Sequence, residues 1–294
     1  MVLVTLVECH GSTPRNPGAR MAVATDGTLI GSIGGGAAEG KCLDQCEVVL
    51  REQHARLLEI DLRGKPGAIR DGICGGTMRL LLTPLSTSDT DTVTHIAQML
   101  RSGQRLVVHT SLEKPHLRVE SPSSSSAGID DWAERLHPDP ALLIVGAGHI
   151  GRVLAHRATE VGLQCLVQDE RPEWLDPNAF PAASRLSMDW PALLEEFLAW
   201  QGPAYVALVT RGFKQDVTAL ADLAPHFDSL DYLGVLGSEH RIDTVRDLCA
   251  ARGLPVWPSS ITHAPVGIPI GAETPEEIAI SILAEIIATR RRDS

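Results

Sequence analysis

The chain is poor in aromatic residues and in positive charge. Phe, Trp and Tyr make up 4% of its 294 residues, while hydrophobic residues reach 44%. Its cores must therefore be built mostly from Ala, Val, Leu and Ile, and there is enough apolar side chain to build them. Lys and Arg number 26 against 37 Asp and Glu, a formal net charge of -11. General nucleic-acid or anionic-membrane binders need a cationic surface, so neither class is expected. No apolar run approaches the roughly 18 residues of a membrane span. The opening residues, MVLVTLV, carry no basic flank and no cleavage site, and they read as a strand instead of a signal peptide. The six cysteines follow no framework spacing. Reduced thiols in a cytoplasmic protein are the expectation.

The length suits one large or two ordinary domains. A serine-rich run, residues 121–128, has linker chemistry: polar and unable to bury a core. The expected organisation is an N-terminal domain over residues 1–120, a linker over 121–138 and a C-terminal domain over 139–294.

In the first part, residues 2–7 form an apolar strand and residues 10–18 a loop rich in Gly and Pro. Asp26-Gly27 between residues 20–25 and 28–33 is a hairpin signal. A triple glycine, Gly34-Gly35-Gly36, leads into a helix over 37–55. Strands are predicted at 57–62, 78–83 and 106–109, with a helix at 92–101. This is an α+β arrangement.

In the second part, strands at 141–145, 163–169, 204–210 and 232–236 alternate with helices at 150–161, 191–200, 216–223 and 240–251. Such alternation predicts a Rossmann-like, doubly wound parallel sheet, so the fold class is α/β. The last helix opens with Thr274, Pro275 and Glu277, a capping box with proline at N1. Ile278, Ile282, Leu283, Ile286 and Ile287 recur at helical spacing and should face a core. Arg290, Arg291 and Arg292 suit the negative end of the helix dipole.

Gly146-Ala147-Gly148-His149-Ile150-Gly151 follows a buried strand and opens a helix. The pattern G-x-G-x-x-G in that context permits a tight turn, close approach to a phosphate, and close helix packing. Asp169 ends the next strand, where a ribose-binding carboxylate would sit. Two readings stay open: a nucleotide such as NAD(P), or glycines serving packing alone, with Arg171 pairing Asp169. The Thr210-Arg211-Gly212 and Gly237-Ser238 turns follow later strands and should line the same cleft, with His149 in reach of a phosphate.

A second constellation lies near the N-terminus. Gly11-Ser12-Thr13-Pro14-Arg15 and Gly18-Ala19-Arg20 set two arginines on a rigid loop. Arg suits bidentate phosphate recognition; a turn with two solvated arginines is the plainer reading. Backbone N–H groups at Gly34, Gly35 and Gly36 would form an anion site at a helix start, although Glu39 in the first turn would weaken it. Cys74, ahead of Gly75 and Gly76, is either an accessible thiol, a soft ligand suited to metals and sulfur transfer, or a small buried residue. Cys42 and Cys46 share a helix face and are expected to be buried, as are Cys165 and Cys249. Cys9 borders the arginine loop and is a minor candidate for sulfur chemistry.

GSTPR, GARM, GSIGGGAAEG, ICGG, VGAGHIGRVLA, QDER, LVTRGF, GVLGS and HAPVGIPIGAETPEEIAISILAEII occur in this order. Together they resemble the XdhC/CoxI family of xanthine dehydrogenase accessory proteins. The likeness spans nearly the whole chain and is weakest over 85–140. It implies an N-terminal XdhC/CoxI-type domain and a Rossmann-like C-terminal domain. It also implies a chaperone that binds the molybdenum cofactor as cargo, supports its sulfuration and inserts it into a xanthine-dehydrogenase-type hydroxylase.

On this resemblance Cys74 contacts the cofactor or its molybdenum, and Ser12 to Arg20 with Gly34 to Gly36 hold phosphate and pterin. Gly75 and Gly76, which follow that thiol, are expected to bind the cofactor with it. The implied partners are a cysteine desulfurase, the large subunit of the hydroxylase and a second copy of the chain. Family members carry a helix before the first strand, so this chain is expected to start later than they do. The alternative functions are an NAD(P)-dependent oxidoreductase and a nucleotide-sensing module. No acid–base constellation for hydride transfer is evident.

Overall fold

A computed structural model describes residues 1–63, 75–112, 117–122, 131–181 and 184–292. The chain packs as two units, Met1–Gln98 with Leu106–Leu136 and Met99–Arg105 with His137–Ser294.

The first unit contains β1 (Val2–His10), β2 (Arg20–Val23), β3 (Leu29–Gly31), α1 (Gly36–Glu52), β4 (Arg56–Asp61) and β5 (Thr77–Pro84). Then come α2 (Thr90–Arg101), whose residues from Met99 on belong to the second unit, β6 (Leu106–Ser111), β7 (Leu117–Glu120) and β8 (Asp131–Leu136). An antiparallel sheet runs in the order β3-β2-β1-β5-β4. Side chains alternate across a strand, so Val2, Val4 and Leu6 share a face, and the register sets Val4 opposite both Met21 and Leu82. α1 covers that face with Ala38, Cys42, Cys46 and Val49, spaced three and four apart. Cys42 and Cys46 are buried there, as expected of apolar helix positions. The Asp26-Gly27 turn joins β2 to β3, and the Asp26 carboxylate accepts the Thr28 N–H at 2.9 Å.

A second, three-stranded sheet runs β7-β6-β8. β8 falls inside the stretch expected to be linker. Its residues alternate in exposure from Trp132 to Leu136, the mark of a half-buried strand. It pairs antiparallel with β6 from Leu136 opposite Leu106 to Asp131 opposite Ser111. Arg20 reaches Glu134 of β8 at 2.5 Å, and Arg79 stacks 5.6 Å from the Trp132 ring centroid. These contacts tie β8 to the first unit.

The second unit contains β9 (Ala141–Val145), α3 (His149–Glu160), β10 (Gln164–Gln168), β11 (Arg185–Ser187), α4 (Trp190–Leu198) and β12 (Ala204–Leu208). It continues with α5 (Phe213–Leu223), β13 (Tyr232–Val235), α6 (Glu239–Ala251), β14 (Thr262–His263) and α7 (Pro275–Arg292). All pairs in its sheet are parallel, in the order β11-β10-β9-β12-β13-β14. This is the doubly wound Rossmann order, which reverses between β9 and β12.

β9 and β12 are buried on both faces. Leu143, Val145, Val206 and Leu208 face α4, α5 and α6. Leu142, Ile144, Tyr205 and Ala207 face α3 and α7. α7 starts at the expected capping box: the Glu277 N–H bonds Thr274 Oγ1 at 3.2 Å, and Glu277 Oε2 accepts the Thr274 N–H at 3.1 Å. Ile282, Leu283 and Ile286 are buried, but Ile287 is exposed, and Ala279 takes a core position instead.

Candidate functional site

Two places gather the singled-out residues, one in each unit. In the first unit, the loop after β1 lies against Gly76 at the start of β5. A Cβ on Gly76 would collide with the His10 carbonyl and sit 2.7 Å from the Ser12 carbonyl oxygen. The ring of Pro14 packs on Gly34 so closely that any side chain at 34 would overlap it, with Arg15 Cγ 3.6 Å from that position. Three segments distant in sequence therefore meet: residues 10–15, Gly34 and Gly75–Gly76. Cys74 itself lies outside the described residues. Its neighbour Gly75 is exposed and faces open space. Cys9, partly exposed, bonds the Arg15 carbonyl at 3.5 Å and so sits under the loop.

The triple-glycine corner does not offer the Gly34 and Gly35 N–H groups as the sequence suggests. Glu39 Oε1 accepts the Ser32 hydroxyl at 2.8 Å, the Ile33 N–H at 3.1 Å and the Gly35 N–H at 3.0 Å. The Gly34 N–H goes to Ser32 Oγ at 3.0 Å. The anion at this helix start is the chain's own carboxylate, and a phosphate would meet its charge. Burial works against ionising Glu39, but the Ser32 hydroxyl and the Gly35, Ile33 and Gly34 N–H groups outweigh it and hold its pKa below the ordinary value.

Arg20, expected as a phosphate ligand, is likewise engaged by Glu134. Its position on β2 points it at β8, which the assignment of residues 121–138 to a linker conceals. Ser12 and Arg15 remain exposed on the loop. Among the described residues, no side chain pairs with the Arg15 guanidinium.

In the second unit, a cleft of about 600 Å³ opens at the C-terminal ends of β9, β10 and β12. Gly146, Gly148 and His149 form one wall, Thr210 and Arg211 another, and Asp169 the floor between. The glycines divide their work. A Cβ on Gly151 would overlap the Gly146 carbonyl oxygen, so the helix packs on the turn there, whereas Gly148 looks onto open space. His149 stands edge-on to Trp174, with ring centroids 5.3 Å apart.

Asp169 is 5% exposed and fully engaged. Oδ2 accepts the Ala147 N–H at 2.9 Å and Arg171 Nη2 at 2.8 Å. Oδ1 accepts the Arg171 N–H at 3.0 Å and Nε at 2.8 Å. Burial opposes its charge most, yet these bonds prevail and the pKa lies below the usual carboxylate value.

Gly237 and Ser238, expected at the cleft, are not part of its lining. A Cβ on Gly237 would sit 2.7 Å from Arg241 Cδ, so that side chain covers the position, and Ser238 caps α6 by accepting the Arg241 N–H. Leu236 reaches the cleft instead, as do Lys214, Gln215, Met188 and Trp190. Lys214 and Gln215 are missed in the sequence because its pattern starts this helix at 216. α5 starts at Phe213, which places both side chains in its first turn. Across the cleft, Glu170 Oε1 accepts Gln215 Nε2 at 3.0 Å and faces Arg211 Nη2 at 3.5 Å.

His263 serves a separate network. Its Nδ1 lies 3.0 Å from Glu285 Oε1, while Tyr232 donates to Glu285 Oε2 at 2.7 Å. Burial and the neighbouring carboxylate push the Tyr232 phenol far above its ordinary pKa.

Comparison with known proteins follows the same division. Residues 1–61 match the XdhC and CoxI family, and residues 142–286 match the XdhC Rossmann domain. The chain is 28% identical, over 99% of its length and 93% of the relative's, to a Bacillus subtilis protein described as a probable subunit of xanthine dehydrogenase. It is 26% identical, over 98% of its length and 83% of the relative's, to PaoD of Escherichia coli, described as a molybdenum cofactor insertion chaperone. A crystal structure from Bacillus halodurans, described as a xanthine dehydrogenase, superposes with a TM-score of 0.76 at 26% identity, over 100% of this chain and 92% of that one.

Proposed function

The chain belongs to the XdhC and CoxI family, and from that premise we propose that it carries the molybdenum cofactor to a xanthine-dehydrogenase-type hydroxylase. It binds the cofactor as cargo, supports its sulfuration and hands it to the large subunit of the apo-hydroxylase. A cysteine desulfurase is the sulfur source, the working form is a homodimer, and the compartment is the cytoplasm. The observation that carries this reading is the meeting of residues 10–15, Gly34 and Gly75–Gly76 around exposed Ser12 and Arg15.

The residues present fit the cargo in part. The Arg15 guanidinium suits a terminal phosphate, to which it presents paired donors in one plane. Ser12 adds a hydroxyl donor, and Gly75 lets a ligand approach the backbone. Cys74, one residue away in sequence, is the proposed thiol contact to the metal. Gly34, Gly35 and Arg20 are not assigned to the phosphate, because Ser32, Glu39 and Glu134 hold them. Gly34 instead seats Pro14, and with it the loop bearing Arg15.

The test is to purify the chain from cofactor-producing cells, assay bound molybdopterin, and measure activation of a hydroxylase apoprotein. Arg15→Ala should weaken cofactor binding about tenfold or more, the size of one charge-assisted bond. Cys74→Ala should abolish activation while leaving the pterin detectable. Wild-type protein that neither holds pterin nor activates the apoprotein would refute the reading. Turnover of a substrate with NAD(P)H alone would favour the oxidoreductase alternative.

A further inference from the structure

We propose that the cleft at the ends of β9, β10 and β12 binds a nucleotide whose ribose carries a 2′-phosphate and discriminates against the free 2′,3′-diol. This goes beyond cofactor delivery and does not depend on it.

The cleft lies where the strand order reverses, the place where open parallel sheets bind ligands. Its volume of about 600 Å³ falls in the ordinary range for small-molecule sites. Gly148 leaves room for a ligand's phosphates to approach the backbone. Met188, Trp190 and Ala219 supply apolar surface for a base. Met188 is 55% exposed there, a large apolar side chain without cover in the free protein.

Charge in the cleft favours an anion. Arg171, Arg211 and Lys214 line it against Asp169 and Glu170. Among the described residues, no carboxylate pairs with Lys214, and both acids already have partners.

Discrimination at the ribose follows from Asp169. A carboxylate in this position normally accepts the ribose hydroxyls, whereas a nearby Arg accommodates a 2′-phosphate. Here both Asp169 oxygens are filled by Arg171 and by the Ala147 N–H. A diol would have to displace a two-point ion pair from a site only 5% exposed. The guanidinium cannot swing aside freely, because it also lies 4.8 Å over the Trp174 ring. It engages Asp169 through Nε and Nη2, which leaves the donors of Nη1 for a second anion. The arginine that disables the diol acceptor is thus positioned to receive a phosphate.

The experiment is calorimetric titration of the full chain, in phosphate-free buffer, with NADP+, NAD+, adenosine 2′,5′-bisphosphate and ADP. NADP+ and the 2′,5′-bisphosphate should bind at least tenfold tighter than NAD+ and ADP. Arg171→Ala frees Asp169 and should erase or invert that ratio. Lys214→Gln should weaken all four ligands by similar factors and leave the ratio intact. If Arg171→Ala does not fold, Arg171→Lys keeps the charge but loses the planar fork, and it should still lower the ratio in a protein that melts like wild type. Wild-type protein that binds NAD+ as tightly as NADP+, or binds none of the four, overturns the proposal. So does an unchanged ratio in a folded Arg171 variant.

Discussion

The two units each place a glycine-rich turn between a strand and a helix, and the two turns end differently. At the Gly34–Gly36 turn a carboxylate in the first turn of the chain's own helix takes the Ile33 and Gly35 N–H groups, and Ser32 takes that of Gly34. At Gly146–Gly151 the carboxylate comes from the next strand, takes one N–H, and is then closed off by an arginine. The first corner has its Ile33, Gly34 and Gly35 donors filled from within and presents Pro14 and its loop. The second keeps a cleft open beside its helix start. Glycine at a helix N-terminus therefore does not define an anion site; what matters is which donors the fold has already filled.

The largest test of this contrast is steric. Gly151→Ala drives a methyl into the Gly146 carbonyl, backbone that cannot give way, and should cost about 3 kcal/mol. Gly36→Ala meets no neighbour within 4 Å at φ +62°, and should cost only about 1 kcal/mol of left-handed backbone strain. Calorimetric unfolding of both variants gives the ratio; equal losses would erase the distinction between a packed turn and an open one.

Next in size is Asp169→Asn, which leaves Arg171 without its counter-charge. A fully buried broken pair costs about 3–5 kcal/mol, and Arg171, 22% exposed, keeps some solvation, so about 2 kcal/mol is expected by chemical denaturation.

Asp169 and Glu39 both titrate below their ordinary values in the folded chain. Their stabilisation is therefore complete above the unfolded values near pH 4 and is lost as pH falls through the lower folded ones. Melting temperature followed down through pH 4 should drop less steeply in Asp169→Asn and Glu39→Gln than in wild type. Parallel curves would show that neither carboxylate is held as the bonding implies.

Glu39→Ala should then cost about 1 kcal/mol, the size of a lost helix cap. Arg20→Ala is the smallest effect, about 0.5 kcal/mol, since its pair with Glu134 is part-exposed. Thermal melts of the two variants rank the partners of the first corner.

Much of the second unit is legible in sequence because strands buried on both faces read as unbroken apolar runs, such as ALLIV and AYVAL. β11 and β14 are not, being three and two residues long, too short to show a period. β8 carries a period of two but stands beside a serine run that outweighs it. The meeting of residues 10–15, Gly34 and Gly75–Gly76 is foreshadowed by motif chemistry alone. What local pattern does not encode is the fate of individual donors. Arg20 finds its partner 114 positions away. Glu39 does leave a local signal, since a glutamate just inside a helix start commonly folds back onto the N–H groups before it.

The segment Met99–Arg105 has a consequence for synthesis. It belongs with the second unit, where Gly103 lies under Trp200 and the Arg105 N–H bonds Gln201 at 2.7 Å, a partner 96 positions later. On the ribosome these seven residues emerge long before the surface they rest on. They must wait while β6 and β8 are made and paired, and a gene fragment starting at residue 139 would express a Rossmann unit lacking one of its own pieces.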